Sequence, residues 1–188
     1  MFYLLILAFM FLFPIIYLKY FKKLSDKKVE AELMPKSQGL KKEIVGSLAL
    51  FSALFLGFIV IVLAISIVDV TLSFAGIDNV RLNDLDKVED LVGEEFSSAP
   101  ENFLIVLVIA LFAEEFFFRA FLTQRIGIIP STILFTLAHY GYGSIAEMIG
   151  VFFLGLILAY WFKKNKSMIQ NYFGHLFYDL FAILLYFF

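Results

Sequence analysis

The chain has 188 residues, of which 62% are hydrophobic, a mean hydropathy of +0.90, a formal net charge of -2 and no cysteine. Soluble domains use about 45 to 50% apolar residues, so this composition excludes an ordinary water-soluble fold and points to an integral membrane protein. Without cysteine there are no disulfides, no thiol catalysis and no thiolate metal sites, and the length suits a single membrane-embedded domain over residues 1–188.

Apolar segments able to cross a ~30 Å hydrocarbon layer lie near 2–18, 44–68, 103–123, 128–142, 145–162 and 168–188. They predict an all-α fold, a polytopic membrane helix bundle of about six spans. The first segment lacks a basic leader and a small-residue cleavage site, and reads as a retained span. Eight lysines follow it, Lys19, Lys22, Lys23, Lys27, Lys28, Lys36, Lys41 and Lys42. They fit a topology signal and attraction to anionic lipid headgroups, with an acidic partner as the alternative. With Arg125, Lys163, Lys164 and Lys166, 12 basic residues fall on one side of the bundle and two, Arg81 and Lys87, on the other. The positive-inside rule makes the basic side cytoplasmic and predicts both termini outside.

The outer segment 69–102 is acidic. Leu82, Leu85, Val88, Leu91, Val92 and Phe96 recur at helical spacing, which predicts an amphipathic helix near the outer interface. Ser98-Ala99-Pro100-Glu101 predicts a capping box that opens the third span. Asn165-Lys166-Ser167 matches a glycosylation pattern, but on a cytoplasmic loop it goes unused.

The third span carries Glu114, Glu115 and Arg119. A charge at the centre of a membrane helix costs roughly 2.5 to 3.5 kcal/mol, so three approach ~8 to 10. The 14 Leu, Ile, Val and Phe residues between Phe103 and Thr123 return about 4 to 8 kcal/mol in all. Such a helix needs polar partners on its neighbours. Residues one apart on an α-helix diverge by ~100°, whereas residues four apart nearly superpose. Glu115 therefore shares a face with Arg119 and can pair with it, while Glu114 points elsewhere and is the better general base. Gly93-Glu94-Glu95-Phe96 copies Ala113-Glu114-Glu115-Phe116 in polar surroundings, where the pair is a solvated face.

The two histidines of the chain, His139 and His175, both fall in predicted spans, and His175 has Asp179 one helical turn on. Asn171, one turn before His175, reads as a water ligand or cap. Counted at ~1.5 Å per residue, Glu114, His139, His175 and Asp179 all lie near the middle of the layer. One convergent polar site is the simplest explanation. A carboxylate, a neutral histidine and further hydrogen-bonding groups are what attack of activated water on a carbonyl requires. The same four side chains would also make an acceptable zinc ligand set. Buried carboxylates and histidines also build proton relays and cation pathways, although no inverted repeat or broken helix of a secondary transporter is visible.

At these residues the chain resembles the CAAX prenyl protease and bacteriocin-processing family, which includes the Ras-converting-enzyme type of glutamate intramembrane endopeptidase. The resemblance rests on Glu114-Glu115-Phe116-Phe117-Phe118-Arg119, Phe135-Thr136-Leu137-Ala138-His139 and His175-Leu176-Phe177-Tyr178-Asp179, and covers roughly 103–179. It implies a multi-pass membrane enzyme, and the spans suit a plasma membrane and an endoplasmic reticulum membrane equally. The implied reaction is cleavage near the C-terminus of prenylated or other membrane-associated peptides, from a site facing the cytoplasm, with no cofactor, metal or nucleic acid. Glu114 and His139 would activate water, His175 and residue 179 would bond the oxyanion, and Glu115 and Arg119 would hold the site together. Position 179 departs from the Asn common in the prenyl protease branch: Asp179 donates a hydrogen bond only when protonated, and otherwise orients His175. A non-proteolytic immunity or scaffold protein is the remaining alternative.

Overall fold

A computed structural model describes residues 2–77 and 79–187; Asp78 of the outer segment and Phe188, the last residue of the sixth expected span, lie outside them. The described residues fold into helices without strands. In chain order they are α1 (Phe2–Ile16), continued by a π-helical turn Tyr17–Phe21; α2 (Asp26–Leu33); α3 (Leu40–Phe74); and α4 (Asp86–Ser98). Next comes α5 (Pro100–Glu114), running on through a π-helical stretch Glu115–Thr123 and a short turn Gln124–Ile126. Then follow α6 (Ile128–Ala138) with a 3-10 turn Tyr140–Tyr142, α7 (Ile145–Asn165) and α8 (Met168–Phe187).

Among the described residues three stretches are long and apolar enough to cross a membrane, Leu4–Phe21, Leu40–Phe74 and Ile145–Asn165, which correspond to three of the six expected spans. Their outer faces expose Leu4, Leu5, Val60, Leu63 and Ile67, a cover of Leu, Ile and Val that lipid would hide. The fourth expected span is corrected. Its helix has 11 residues, about 16 Å, and stops at Ala138, so His139 stands just beyond a helix end instead of inside a span. Gly127, at φ 90°, supplies the backbone turn that separates α5 from α6.

Close approach of α3 to α7 and α8 builds one side of the bundle. Leu50 and Leu54 pack with Leu154 and Leu158, and a Cβ on Gly174 would lie 2.8 Å from Leu50 Cγ. On the other side α2 buries Val29 and Leu33 against Phe116, Phe121 and Phe162.

The outer segment is tied down by acids. Asp69 accepts the N–H groups of Leu82 and Asn83 at 2.7 and 2.8 Å. Asp84 accepts from Ser144 Oγ at 2.8 Å, Ala146 N at 3.0 Å and Ile145 N at 3.2 Å, capping the N-terminus of α7. Lys87 bonds both Asp84 and the Gly143 carbonyl. Burial pushes the Asp84 carboxyl up, but the donors from Ala146, Lys87, Ser144 and Ile145 outweigh it and hold it well below the usual carboxylate range. The amphipathic helix expected here starts at Asp86, after Leu82 and Leu85, and its Glu94 and Glu95 are exposed. The capping box expected at Ser98 does not form: Ala99 is the N-cap of α5, Pro100 starts the helix, and Ser98 Oγ bonds back to the Glu95 carbonyl. The side-chain half of such a box forms at α7 instead, where Ser144 Oγ accepts Glu147 N at 3.0 Å.

Candidate active site

Glu114 and Glu115 straddle the change from α-helical to π-helical winding, a local widening often found at functional sites. The two neighbours meet different surroundings. Glu115 is fully buried and saturated: Oε1 accepts from His175 Nδ1 at 2.9 Å, Oε2 accepts from Asn171 Nδ2 at 3.0 Å, and Arg119 Nε lies 3.6 Å from Oε1. The i,i+4 pairing expected of Glu115 and Arg119 is therefore present. Glu114 is only partly buried and makes no hydrogen bond or ion pair among the described residues. It interacts electrostatically with His175, Glu115 and Arg119, which places it beside the same cluster.

Phe135 is the hub of the remaining groups. The Arg119 guanidinium sits 4.0 Å from its ring centroid, and the rings of His139 and His175 lie 4.6 and 6.4 Å away. Arg119 is fully buried, and its Nε and both Nη atoms lack hydrogen-bond partners, so its charge is balanced by Glu115 and the ring face. Thus α5, α6 and α8 each bring a motif to one place.

Tautomers follow from the partners. His139 Nδ1 lies 2.9 Å from the Phe135 carbonyl, which only accepts, so Nδ1 carries the proton and Nε2 holds a free lone pair. His175 is held from two sides, with Nδ1 on Glu115 and Nε2 3.8 Å from Asp179 Oδ1. Asp179 is nearer to orienting His175 than to standing apart as an independent donor. Among the described residues no group of three His, Asp or Glu side chains has the arrangement to hold a metal ion.

Three contributors were missed or undervalued in the sequence. Asn171, read as a water ligand or cap, is buried and bonds both Glu115 and the Leu158 carbonyl, locking α8 to α5 and α7. Its i-4 spacing from His175 was the available signal. Tyr142 stacks on His139 at 6.0 Å between centroids, in a turn with no periodicity to read. Glu147 interacts electrostatically with Asp179, and its place three residues after Ser144 marks it as a capping residue first.

No curated protein and no solved structure matches the chain. Residues 97–181, which hold all six candidate site residues from Glu114 to Asp179, match the family model of the type II CAAX prenyl endopeptidases, Rce1-like, a family of proteases.

Proposed function

We propose that this protein is a membrane-embedded endopeptidase that uses Glu114 to activate water and cleaves near the C-terminus of prenylated or other membrane-associated peptides. The observation that carries the reading is the contrast between the adjacent glutamates: Glu115 is consumed by three partners, and Glu114 keeps its carboxylate for a substrate or water. Glu114 takes a proton from the attacking water, and the free Nε2 of His139 accepts a second hydrogen bond that fixes the water's direction. The hydroxide adds to the scissile carbonyl carbon. Charge then collects on the carbonyl oxygen, where a Nε2–H of the imidazolium form of His175 meets it. Asp179 holds that ring from the side opposite Glu115. Collapse of the tetrahedral species breaks the C–N bond, and the proton held by Glu114 passes to the leaving amine.

Six crossings with both termini outside would put the Lys22, Arg125 and Lys166 ends of the helices in the cytoplasm, the compartment where lipid-anchored tails are presented. The family match supports the protease class, and the three motifs around Phe135 support its site. The test is cleavage of a prenylated tetrapeptide-tailed substrate by the purified protein in lipid vesicles, alongside Glu114→Gln and His139→Ala. Both variants should lose activity. Cleavage by both at the parental rate would overturn the assignment, and ion flux through the vesicles without cleavage would favour transport.

A further inference from the structure

Away from the candidate active site, one end of the bundle carries an open groove of about 610 Å³. Its walls come from separate stretches of chain: Leu18 and Lys22 at the end of the first span, Glu32 on α2, Gln124 and Arg125 beyond the π-helical stretch, and Lys166 between α7 and α8. Loops counted on one side from their charge thus meet at one place. Three cations line the groove against one carboxylate, and that carboxylate, Glu32, is already paired with Arg125.

The other two cations have no acidic partner among the described residues. Lys22 Nζ lies 5.9 Å from the Tyr17 ring centroid. Lys166 Nζ donates to the neutral Gln124 Oε1 at 2.5 Å and lies 6.0 Å from the Phe162 ring. Burial and the nearby Lys163 hold the Lys166 ammonium below the ordinary lysine range, as befits a cation crowded by charge of its own sign.

Depth identifies the ligand. Lys22 directly follows the apolar stretch Leu4–Phe21, and Lys166 directly follows Ile145–Asn165. With those stretches spanning a bilayer, both would stand where hydrocarbon gives way to headgroups, the level of the lipid phosphates. The volume falls within the ~300 to 1,000 Å³ of small-molecule sites. No residue of the Glu114 cluster lines the groove, so it is separate from the peptide site.

We propose that this groove binds the phosphate of one anionic phospholipid, held by Lys22, Arg125 and Lys166, with the apolar wall at Leu18 against its glycerol backbone. All four lysines Lys22, Lys27, Lys28 and Lys166 are exposed; Lys22 and Lys166 differ in converging with Arg125 on one groove, which Lys27 and Lys28 do not line.

The experiment reconstitutes the full chain with equal amounts of phosphatidylglycerol and phosphatidylcholine, exchanges it into mild detergent, and counts retained lipid by native mass spectrometry. The parent should keep phosphatidylglycerol in preference. Lys22→Gln with Lys166→Gln should weaken that retention about tenfold or more, at roughly 1 kcal/mol per lysine. Lys27→Gln with Lys28→Gln removes the same charge outside the groove and should leave retention intact. Equal loss in both pairs, or no preference in the parent, would overturn the site in favour of diffuse attraction. Displacement of the lipid by millimolar inorganic phosphate would overturn the lipid assignment in favour of a free ion.

Discussion

Replacing Glu115 by Gln removes a charge without changing the size of the side chain, and everything around it is arranged for the charge. A glutamine offers one oxygen and one NH2 group. It can accept from His175 or from Asn171 but not from both, and the displaced donor meets an N–H instead of a lone pair. Arg119, fully buried, loses its nearest carboxylate and is left with the Phe135 ring and a longer-range attraction to Glu114. Removing one partner of a buried ion pair costs about 3 to 5 kcal/mol, a factor of roughly 10² to 10³ or more in the folding equilibrium. Unfolding in lipid bicelles should be followed for Glu115→Gln, Arg119→Met and the double variant. The double variant leaves neither charge buried alone, so it should lose less than the sum of the singles by at least ~1 kcal/mol. Parental stability in Glu115→Gln, or strict additivity of the two losses, would refute the reading of Glu115 and Arg119 as a mutually dependent buried pair.

Glu114→Gln should behave oppositely, losing about 10² to 10⁴ in turnover while its unfolding midpoint stays near the parental value, because its carboxylate makes no hydrogen bond or ion pair among the described residues. Asp179→Asn should keep substantial activity, since an amide still offers an oxygen to His175 and adds a donor, whereas Asp179→Leu should not; a leucine variant as active as the asparagine one, in kcat and in KM, would remove Asp179 from the site. Gly174→Ala places a Cβ 2.8 to 2.9 Å from Leu50 Cβ, Cγ and Cδ2, a clash near the backbone that should cost about 1 to 3 kcal/mol. Leu50→Ala should relieve it in thermal melts. The Asp84 carboxyl titrates well below the usual carboxylate range when folded, so its hold on α7 is complete above that range and fades as pH falls through and below it. Proteolysis of the 76–86 segment should rise with acidification, and Asp84→Asn should remove the pH dependence; a flat profile in the parent would count against it.

The helices and the identity of the polar residues were legible because both rest on local patterns. Apolar length located the long helices but not α2 (Asp26–Leu33), whose polar lysine-rich sequence hides its two buried residues, and the cost of a charge in an apolar region singled out Glu114, Glu115, Arg119, His139, His175 and Asp179. Pairing at i,i+4 gave Glu115 with Arg119 because that contact stays within one helix. What was not legible depends on how helices face one another. Asn171 supports Glu115 across 56 positions of sequence, and its i-4 spacing from His175 puts it on the right face without revealing that partner. The aromatic of the Phe-x-x-x-His motif looked like spacing and proved to be the surface on which Arg119 and both histidines converge. Ser98 and Ser144 carry the same capping pattern three residues before a Glu, yet only Ser144 caps, because Pro100 starts α5 from Ala99.

In the proposed membrane enzyme, the short α6 would give water a route to the charged cluster. Eleven residues carry the chain about 16 Å, roughly half of a ~30 Å hydrocarbon layer, so His139 and the Tyr140–Tyr142 turn stand where a spanning helix would still be bonded to itself. Irregular backbone is tolerated at that depth only when protein buries it or a water-filled cavity touches it. Here protein covers one side of the turn and leaves the other exposed. Asp84 and Lys87 cover its far end through Ser144, Ile145, Ala146 and the Gly143 carbonyl, while Tyr140, Gly141 and Tyr142 stay exposed and His139 is half-buried. A continuous helix through His139 would have satisfied its own backbone and sealed the approach. The break leaves Nε2 of His139 free beside the approach that the proposed hydrolysis needs for its second substrate.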